Sequence, residues 1–205
     1  GPGMIRQFLT GGLDGNFSYL AYAEATRDGV VIDPCGDLAP LLAAVRERGV
    51  TVRYLVNTHG HHDHTEGNAA VLAATGAQLA LHRLDGAGVA GARLLVDGEQ
   101  LNIGGDLLTV IHTPGHTPGS ICLRFQDGLF TGDTLFVDYC GSAREPRELY
   151  RSLQLLRALP DALVVYSGHN YGATPTATLG HEKRHNPYLA ARDEAEFLAR
   201  HRMMP

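Results

Sequence analysis

The chain has 205 residues, 44 % hydrophobic and 19 % charged, with a formal net charge of −5. That balance fits a globular domain with a sizeable core. The absence of a Lys/Arg cluster argues against nucleic acid or an anionic membrane surface as partner. No apolar run is long enough to span a bilayer, and no charged-then-apolar export segment opens the chain. The cytoplasm is therefore the expected compartment, and a single domain over residues 1–205 the expected organisation. Gly1-Pro2-Gly3, ahead of Met4, reads as the remnant of an expression tag.

In chain order, residues 4 to 33 read as strands. Phe17–Tyr22 and Gly29–Asp33 are separated by the polar turn Thr26-Arg27-Asp28, which predicts a hairpin. Asp37 is placed to cap a helix reaching Arg48, with Leu38, Leu41, Leu42 and Val45 on one face and Gly49 as the stop. A strand over 52–56 follows, then an alanine-rich helix over 66–74 and a strand over 78–82. The second half changes character. Asp97-Gly98 and Gly104-Gly105 punctuate short strands over 100–103 and 107–111. Asp127-Gly128 joins strands 120–125 and 129–132, a strong hairpin signal. Leu149, Leu153 and Leu156 share one face of a helix over 146–158. A strand over 162–166 and helices over 174–184 and 188–201 complete an α/β alternation.

The chemistry concentrates at Thr58-His59-Gly60-His61-His62-Asp63-His64, directly after the strand at 52–56. Imidazole and carboxylate hold zinc and other divalent first-row metals. So many of them in one tight turn make little sense as core, so the turn is read as half of a metal centre. Three further donors follow strands: His116 in His112-Thr113-Pro114-Gly115-His116, Asp133 in Phe130-Thr131-Gly132-Asp133, and His169 in Tyr166-Ser167-Gly168-His169. Loops at strand ends are where rigid sheets present functional groups. The cysteines Cys35, Cys122 and Cys140 are odd in number and widely spaced, which argues against a disulfide framework or a structural zinc knuckle.

Taken together, the H-x-H-x-D-H turn and the distant His, Asp and His resemble the metallo-β-lactamase-fold superfamily. The Thr-His-Gly-His-His-Asp-His and His-Thr-Pro-Gly-His-Thr-Pro-Gly-Ser runs are similar to its glyoxalase II and persulfide dioxygenase group. The resemblance implies an αββα sandwich with metals at one edge. It implies one metal on His59, His61 and His116, a second on Asp63, His64 and His169, and Asp133 bridging both. Two divalent ions are expected, zinc first, with iron or manganese as alternatives. Asp33 matches a supporting aspartate of the family, and His62 fills a variable slot. Asp63 and Asp133 are expected to orient the attacking water and take up its proton.

The first functional expectation is hydrolysis of a thioester or related acyl compound, of the hydroxyacylglutathione hydrolase type. The second is a persulfide dioxygenase with one Fe(II) on His59, His116 and Asp133. A third is another metallohydrolase with a lactone or phosphoester substrate. The expected partner is a small molecule derived from glutathione or another thiol, and the expected assembly a monomer or homodimer. Relatives carry Cys-Gly-Arg where this chain has Cys140-Gly141-Ser142, in a run that looks shortened. Candidate substrate-binding residues are Cys140, Ser142, Tyr171, Arg144, Lys183 and Arg184. His112, His181 and His185 are read as structural.

Overall fold

The computed structural model describes residues 4–205; the expected tag remnant at 1–3 lies outside them. Two six-stranded sheets face each other, with helices on their outer sides. The first sheet begins as a meander of β1 (Ile5–Gly11), β2 (Asn16–Tyr22) and β3 (Asp28–Ile32). Helix α1 (Ala39–Glu47) then crosses over to β4 (Thr51–Val56), which pairs parallel to β3. After the single helical turn α2 (His62–Thr65) and helix α3 (Asn68–Thr75), β5 (Gln78–His82) adds parallel to β4. The single turn α4 (Arg83–Gly86) leads to β6 (Arg93–Leu95), also parallel. The second sheet contains β7 (Gln100–Ile103), β8 (Asp106–His112), β9 (Ile121–Phe125) and β10 (Gly128–Gly132), all antiparallel. The ribbon β11 (Leu135–Phe136) and β12 (Tyr139–Cys140) and helix α5 (Pro146–Arg157) follow. Then β13 (Val164–Ser167) pairs parallel to β10, and β14 (Ala177–Thr178) closes the edge before α6 (Leu179–His185) and α7 (Glu194–Arg202). Among the described residues no helix is long and apolar enough to cross a membrane.

The strand period of two sorts side chains into layers. In β2, Phe17, Tyr19 and Ala21 point into the core between the sheets, where they meet Leu101, Val110, Leu123, Phe125 and Phe130. Leu20 and Tyr22 point the other way, onto Leu41 and Ala44 of α1 and Val71 of α3. The second sheet does the same with Leu129 and Val165, which pack on Leu149, Leu153 and Leu156 of α5 and Phe197 of α7. Strands covered on both faces are buried throughout and mostly apolar, as β2 and β10 are, with Asn16, Ser18 and Thr131 as their buried polar members. This is the expected αββα sandwich.

Several expectations shift. The helix after Asp37 has Leu38 at its N-cap position, and the Asp37 carboxylate accepts the Ala39 N–H from one residue further out (3.1 Å). The β9–β10 turn is built by Gln126 and Asp127, with Gln126 at φ 54°, while Gly128 is already paired in the strand. Gly128 answers a packing demand: a Cβ there would meet Ile5 Cδ1 at 2.7 Å and the Tyr166 ring at 3.0 Å. The helix expected over 174–184 is split into β14 and α6, with the Thr178 hydroxyl capping α6 by accepting the His181 N–H. The last helix starts at Glu194 instead of 188, where the Asp193 carboxylate accepts the Glu196 N–H at 2.9 Å. The short elements α2, α4, β6, β11 and β12 were not expected. None of them reaches the length at which periodicity reads.

Candidate metal centre

All donor loops leave strand ends on the same edge of the sandwich. The turn after β4 is closed by Asn57, whose Nδ2 donates to the His64 carbonyl (3.1 Å) and to Asn68 Oδ1 (3.0 Å). The two sheets are joined beside it, where the Ile121 N–H donates to the Thr58 carbonyl at 2.9 Å. Asp133 follows β10, and His169 follows the neighbouring β13. Gly168 can only be glycine here: a Cβ would lie 2.4 Å from Asp133 Oδ1 and 2.8 Å from His64 Cε1.

Two donor sets result. His59, His61 and His116 form one, and Asp63, His64, Asp133 and His169 the other, each with donor atoms within 4.8 Å of one another. Asp133 lies between them. Its Oδ2 is 3.6 Å from His59 Nε2, 3.4 Å from His116 Nε2 and 3.2 Å from His169 Nε2, and its Oδ1 is 3.2 Å from His64 Nε2. Asp63 Oδ2 is 3.4 Å from His64 Nε2 and 3.5 Å from His169 Nε2.

The far side of these groups is held as metal ligands usually are. His116 Nδ1 bonds the Ser142 carbonyl (2.7 Å), His169 Nδ1 the Asp14 carbonyl (2.8 Å), and His59 Nδ1 the Thr58 hydroxyl (3.1 Å). His64 Nδ1 faces Asp33 Oδ2 at 3.0 Å, and Asp33 also accepts the Thr58 N–H (2.8 Å) and hydroxyl (2.6 Å). The expected support from Asp33 thus takes a concrete form: one buried carboxylate holds both the start of the turn and a donor histidine. Asn16 Nδ2 steadies Asp63 Oδ2 at 3.2 Å. His62 stands outside the cluster, exposed and near Glu66.

Burial drives the His59 imidazole well below its usual pKa, and it lowers His61 too. For His64 burial acts in the same sense, but the Asp133 and Asp33 carboxylates outweigh it and hold the proton well above the usual range. His116 and His169 follow His64, again through Asp133. Asp133 is the counterpart: burial raises its pKa, yet His64 and His59 pull it well below the carboxylate range.

The donors fit divalent metal ions. His59 Nε2 and Asp133 Oδ1 are buried without a hydrogen-bond partner, which is costly unless something else binds them. His61 Nδ1 faces His116 Nε2 at 3.2 Å, and His64 Nε2 faces His169 Nε2 at 3.3 Å. Donors around a tetrahedral zinc, at about 2.0–2.1 Å from it, stand roughly 3.3 Å apart. A separate trio, Asp138, His181 and Glu182, also lies within 4.8 Å. There Glu182 Oε1 is taken up in holding the Asp138 N–H (2.7 Å) and Asn186 Nδ2 (3.0 Å).

A pocket of about 430 Å³ opens beside His116 and Asp133, with Phe136, Tyr139 and Met204 in its wall. Cys140, Ser142 and Tyr171 also line it. Cys140 is almost fully buried, and burial pushes its thiol pKa up, away from nucleophilic duty. Ser142 acts through its carbonyl on His116. Tyr171 stacks on His169 and donates its hydroxyl to Asp14.

The three cationic candidates do not line this pocket. Lys183 Nζ is bound to the Leu159 carbonyl and to Asp161, both at 2.6 Å, and Arg184 lies by the same Asp161. Arg144 lines a second groove with Glu145 and Glu148, against Gly115 and Thr117 on either side of His116. The Lys183 ammonium answers to Asp161, a pairing its sequence position does not reveal. A larger concavity of about 630 Å³ lies at the opposite strand ends, but its Arg53 and Arg93 are paired with Asp28 and Glu99, and neither donor set reaches it. Sequence reasoning missed Asp85, Asn16 and the Asp14 carbonyl. A single polar residue far along the chain carries no signal of the loop it will meet.

The sequence profile of the metallo-beta-lactamase superfamily matches residues 11–169. A hydroxyacylglutathione hydrolase of Polaromonas sp. is 40 % identical over 82 % of this chain and 67 % of its own length. That of Rhodospirillum rubrum is 37 % identical over 90 % of this chain and 86 % of its own length. For those of Anaeromyxobacter dehalogenans and Cereibacter sphaeroides the match spans 62 % and 64 % of their length. The crystal structure of ETHE1 from Myxococcus xanthus superposes with a TM-score of 0.88 at 32 % identity, over 98 % of this chain and 92 % of that one. TTHA1623 in a di-iron-bound form superposes at 0.73 with 31 % identity, over 87 % of this chain and 98 % of that one. On fold, donor set and profile alike, the chain belongs to the metallo-beta-lactamase superfamily.

Proposed function

We propose that the chain is a metal-dependent thioester hydrolase of the hydroxyacylglutathione hydrolase type. The single observation that carries this reading is Asp133. Its carboxylate sits between two complete donor sets, at the mouth of a pocket large enough for a small substrate. His59, His61 and His116 would hold one ion; Asp63, His64 and His169 would hold the other, zinc being first among the metals such N/O donors take. When bound, the ions supply a water deprotonated near neutral pH and an electrophile for the acyl carbonyl.

The protein's own groups do the rest. Asp133, held ionised by the surrounding imidazoles, keeps the two halves in register. Asp63 is half-buried in the second donor set, with Asn16 fixing Oδ2. It is placed to accept the proton of the attacking water and return it to the departing sulfur, so that the C–S bond breaks to an acid and a thiol. Phe136, Tyr139 and Met204 give the substrate an apolar wall and keep bulk water from that side.

The test is hydrolysis of S-lactoylglutathione and simpler acyl thioesters by the purified chain, followed by loss of thioester absorbance. Turnover that stops on chelation and returns with metal supports the reading; no turnover on any thioester defeats it. A second reading rests on the convergence of His59, His116 and Asp133, two imidazoles and a carboxylate, on one point. Such a set suits a single non-heme iron with open positions. On that reading O₂ consumption with glutathione persulfide replaces thioester hydrolysis.

A further inference from the structure

We propose that Asp85 is a positioning residue for the three-histidine half of the centre. His59 and His61 sit on the turn after β4, while His116 sits on the loop between β8 and β9. The sheets supply these loops from opposite sides, and the donors His61 Nδ1 and His116 Nε2 must be held 3.2 Å apart. Asp85, in the single turn α4, spans the gap. Its Oδ2 accepts the Gly60 N–H at 2.9 Å, between the two histidines of the turn, and the Thr117 hydroxyl at 2.7 Å, next to His116. Its Oδ1 accepts the Gly119 N–H at 2.8 Å.

All three bonds go to the two ligand loops, and both carboxylate oxygens are used. The fit is close: a Cβ on Gly119 would lie 2.5 Å from Asp85 Oδ1 and 2.6 Å from its backbone nitrogen. A carboxylate accepting two N–H groups and a hydroxyl makes the strong, charge-assisted kind of hydrogen bond. The other half of the centre does not depend on it. His64 is fixed by Asp33, Asp63 by Asn16 and His169 by the Asp14 carbonyl. Asp85 therefore sets the spacing of one donor set and leaves the second alone. The inference rests on the metal-centre reading and adds a residue to it.

The experiment uses the full chain, stripped and reloaded with Co(II) as a spectroscopic probe, with chelator competition to resolve the two affinities. Asp85→Asn keeps the size but turns one acceptor into a donor facing Gly60, Thr117 or Gly119. It is expected to weaken the three-histidine site by about 10-fold, the lower end of what losing a ligand's direct outer partner costs, because Asp85 holds the ligand loops and not a ligand ring. It should also alter the cobalt d–d absorption of that site and leave the other site within about twofold. Thr117→Val removes one of the three bonds and should shift the same site in the same direction by less; it also decides the matter if Asp85→Asn does not fold. Unchanged cobalt spectra and affinities in both variants, or equal weakening of both sites, overturn the proposal. A wild-type chain that binds no cobalt overturns the metal-centre reading, and this inference falls with it.

Discussion

Replacing Asp33 by asparagine separates the charge of this buried group from its shape. Asp33 is 2 % exposed and has φ 51°, a left-handed conformation that aspartate and asparagine both tolerate. The substitution thus spares the backbone and perturbs three hydrogen bonds: the Thr58 N–H at 2.8 Å, the Thr58 hydroxyl at 2.6 Å and His64 Nδ1 at 3.0 Å. The amide oxygen still accepts from Thr58. The amide nitrogen then points a donor at either the hydroxyl or the imidazole, and the charge that holds the His64 proton is gone. One charge-assisted bond lost is worth about 1.5–3 kcal/mol, and leaving its buried partner unmatched adds about 1 kcal/mol or more. The expected loss is therefore about 3 kcal/mol in the metal-free protein, or roughly 6–12 °C in melting temperature for a domain of this size. Metal at the His64 site should weaken by about 10–100-fold. Urea unfolding of the stripped protein, with chelator competition on the loaded one, reads both. Wild-type stability together with wild-type affinity would refute the role given to Asp33.

Four further outcomes are expected. Asp133→Ala and His116→Ala should each abolish activity and lower metal content by elemental analysis, whereas full activity with retained metal would remove them from the centre. Lys183→Ala should leave KM for a thioester within about twofold, because its ammonium is bound to Asp161 and the Leu159 carbonyl; a tenfold rise would return it to the substrate site. Metal affinity should fall as pH falls: His64, His116 and His169 hold their protons above the usual imidazole range in the stripped protein and must release them to bind. Proton release on metal addition, read in a weakly buffered titration, checks this. His82, whose pKa burial and the stacked His112 lower to about 4, accepts the Leu84 N–H and packs in its neutral form. Its folded-state pKa lies below the unfolded one, so its contribution is complete above about pH 6.5 and is lost as pH drops towards 4. The full shift would be roughly 3 kcal/mol; with the half-buried His112 letting water share the charge, about 1–2 kcal/mol is expected between pH 7 and 4 in urea titrations of the stripped chain. Replacement by glutamine should flatten that slope.

The sequence made the centre legible because its chemistry is local. Four of the seven donor positions, His59, His61, Asp63 and His64, lie in one turn, and the other three follow apolar strand runs whose ends can be read. The sandwich was legible for the same reason: β2 and β10 carry apolar side chains on both faces beside a few small polar ones, and the leucines of α5 repeat on one side. What was hidden depends on pairs far apart in sequence. Asp85 reaches Gly60, Thr117 and Gly119 across two loops. Lys183 looked free for a substrate carboxylate until the fold placed Asp161 beside it. Tyr171 offered a hydroxyl to the pocket, but Asp14, from the β1–β2 turn, holds it. Gly128 looked like a turn residue, and only the packing of Ile5 and Tyr166 shows why a side chain is excluded there.

The central claim is a two-metal centre that hydrolyses thioesters. The measurement that tests it most directly is metal content per chain, on protein purified without added metal, taken together with thioester turnover before and after chelation. The account predicts close to two divalent ions per chain, turnover lost on chelation, and recovery when metal is restored. One iron per chain, with O₂ uptake on a persulfide and no thioester turnover, would contradict it.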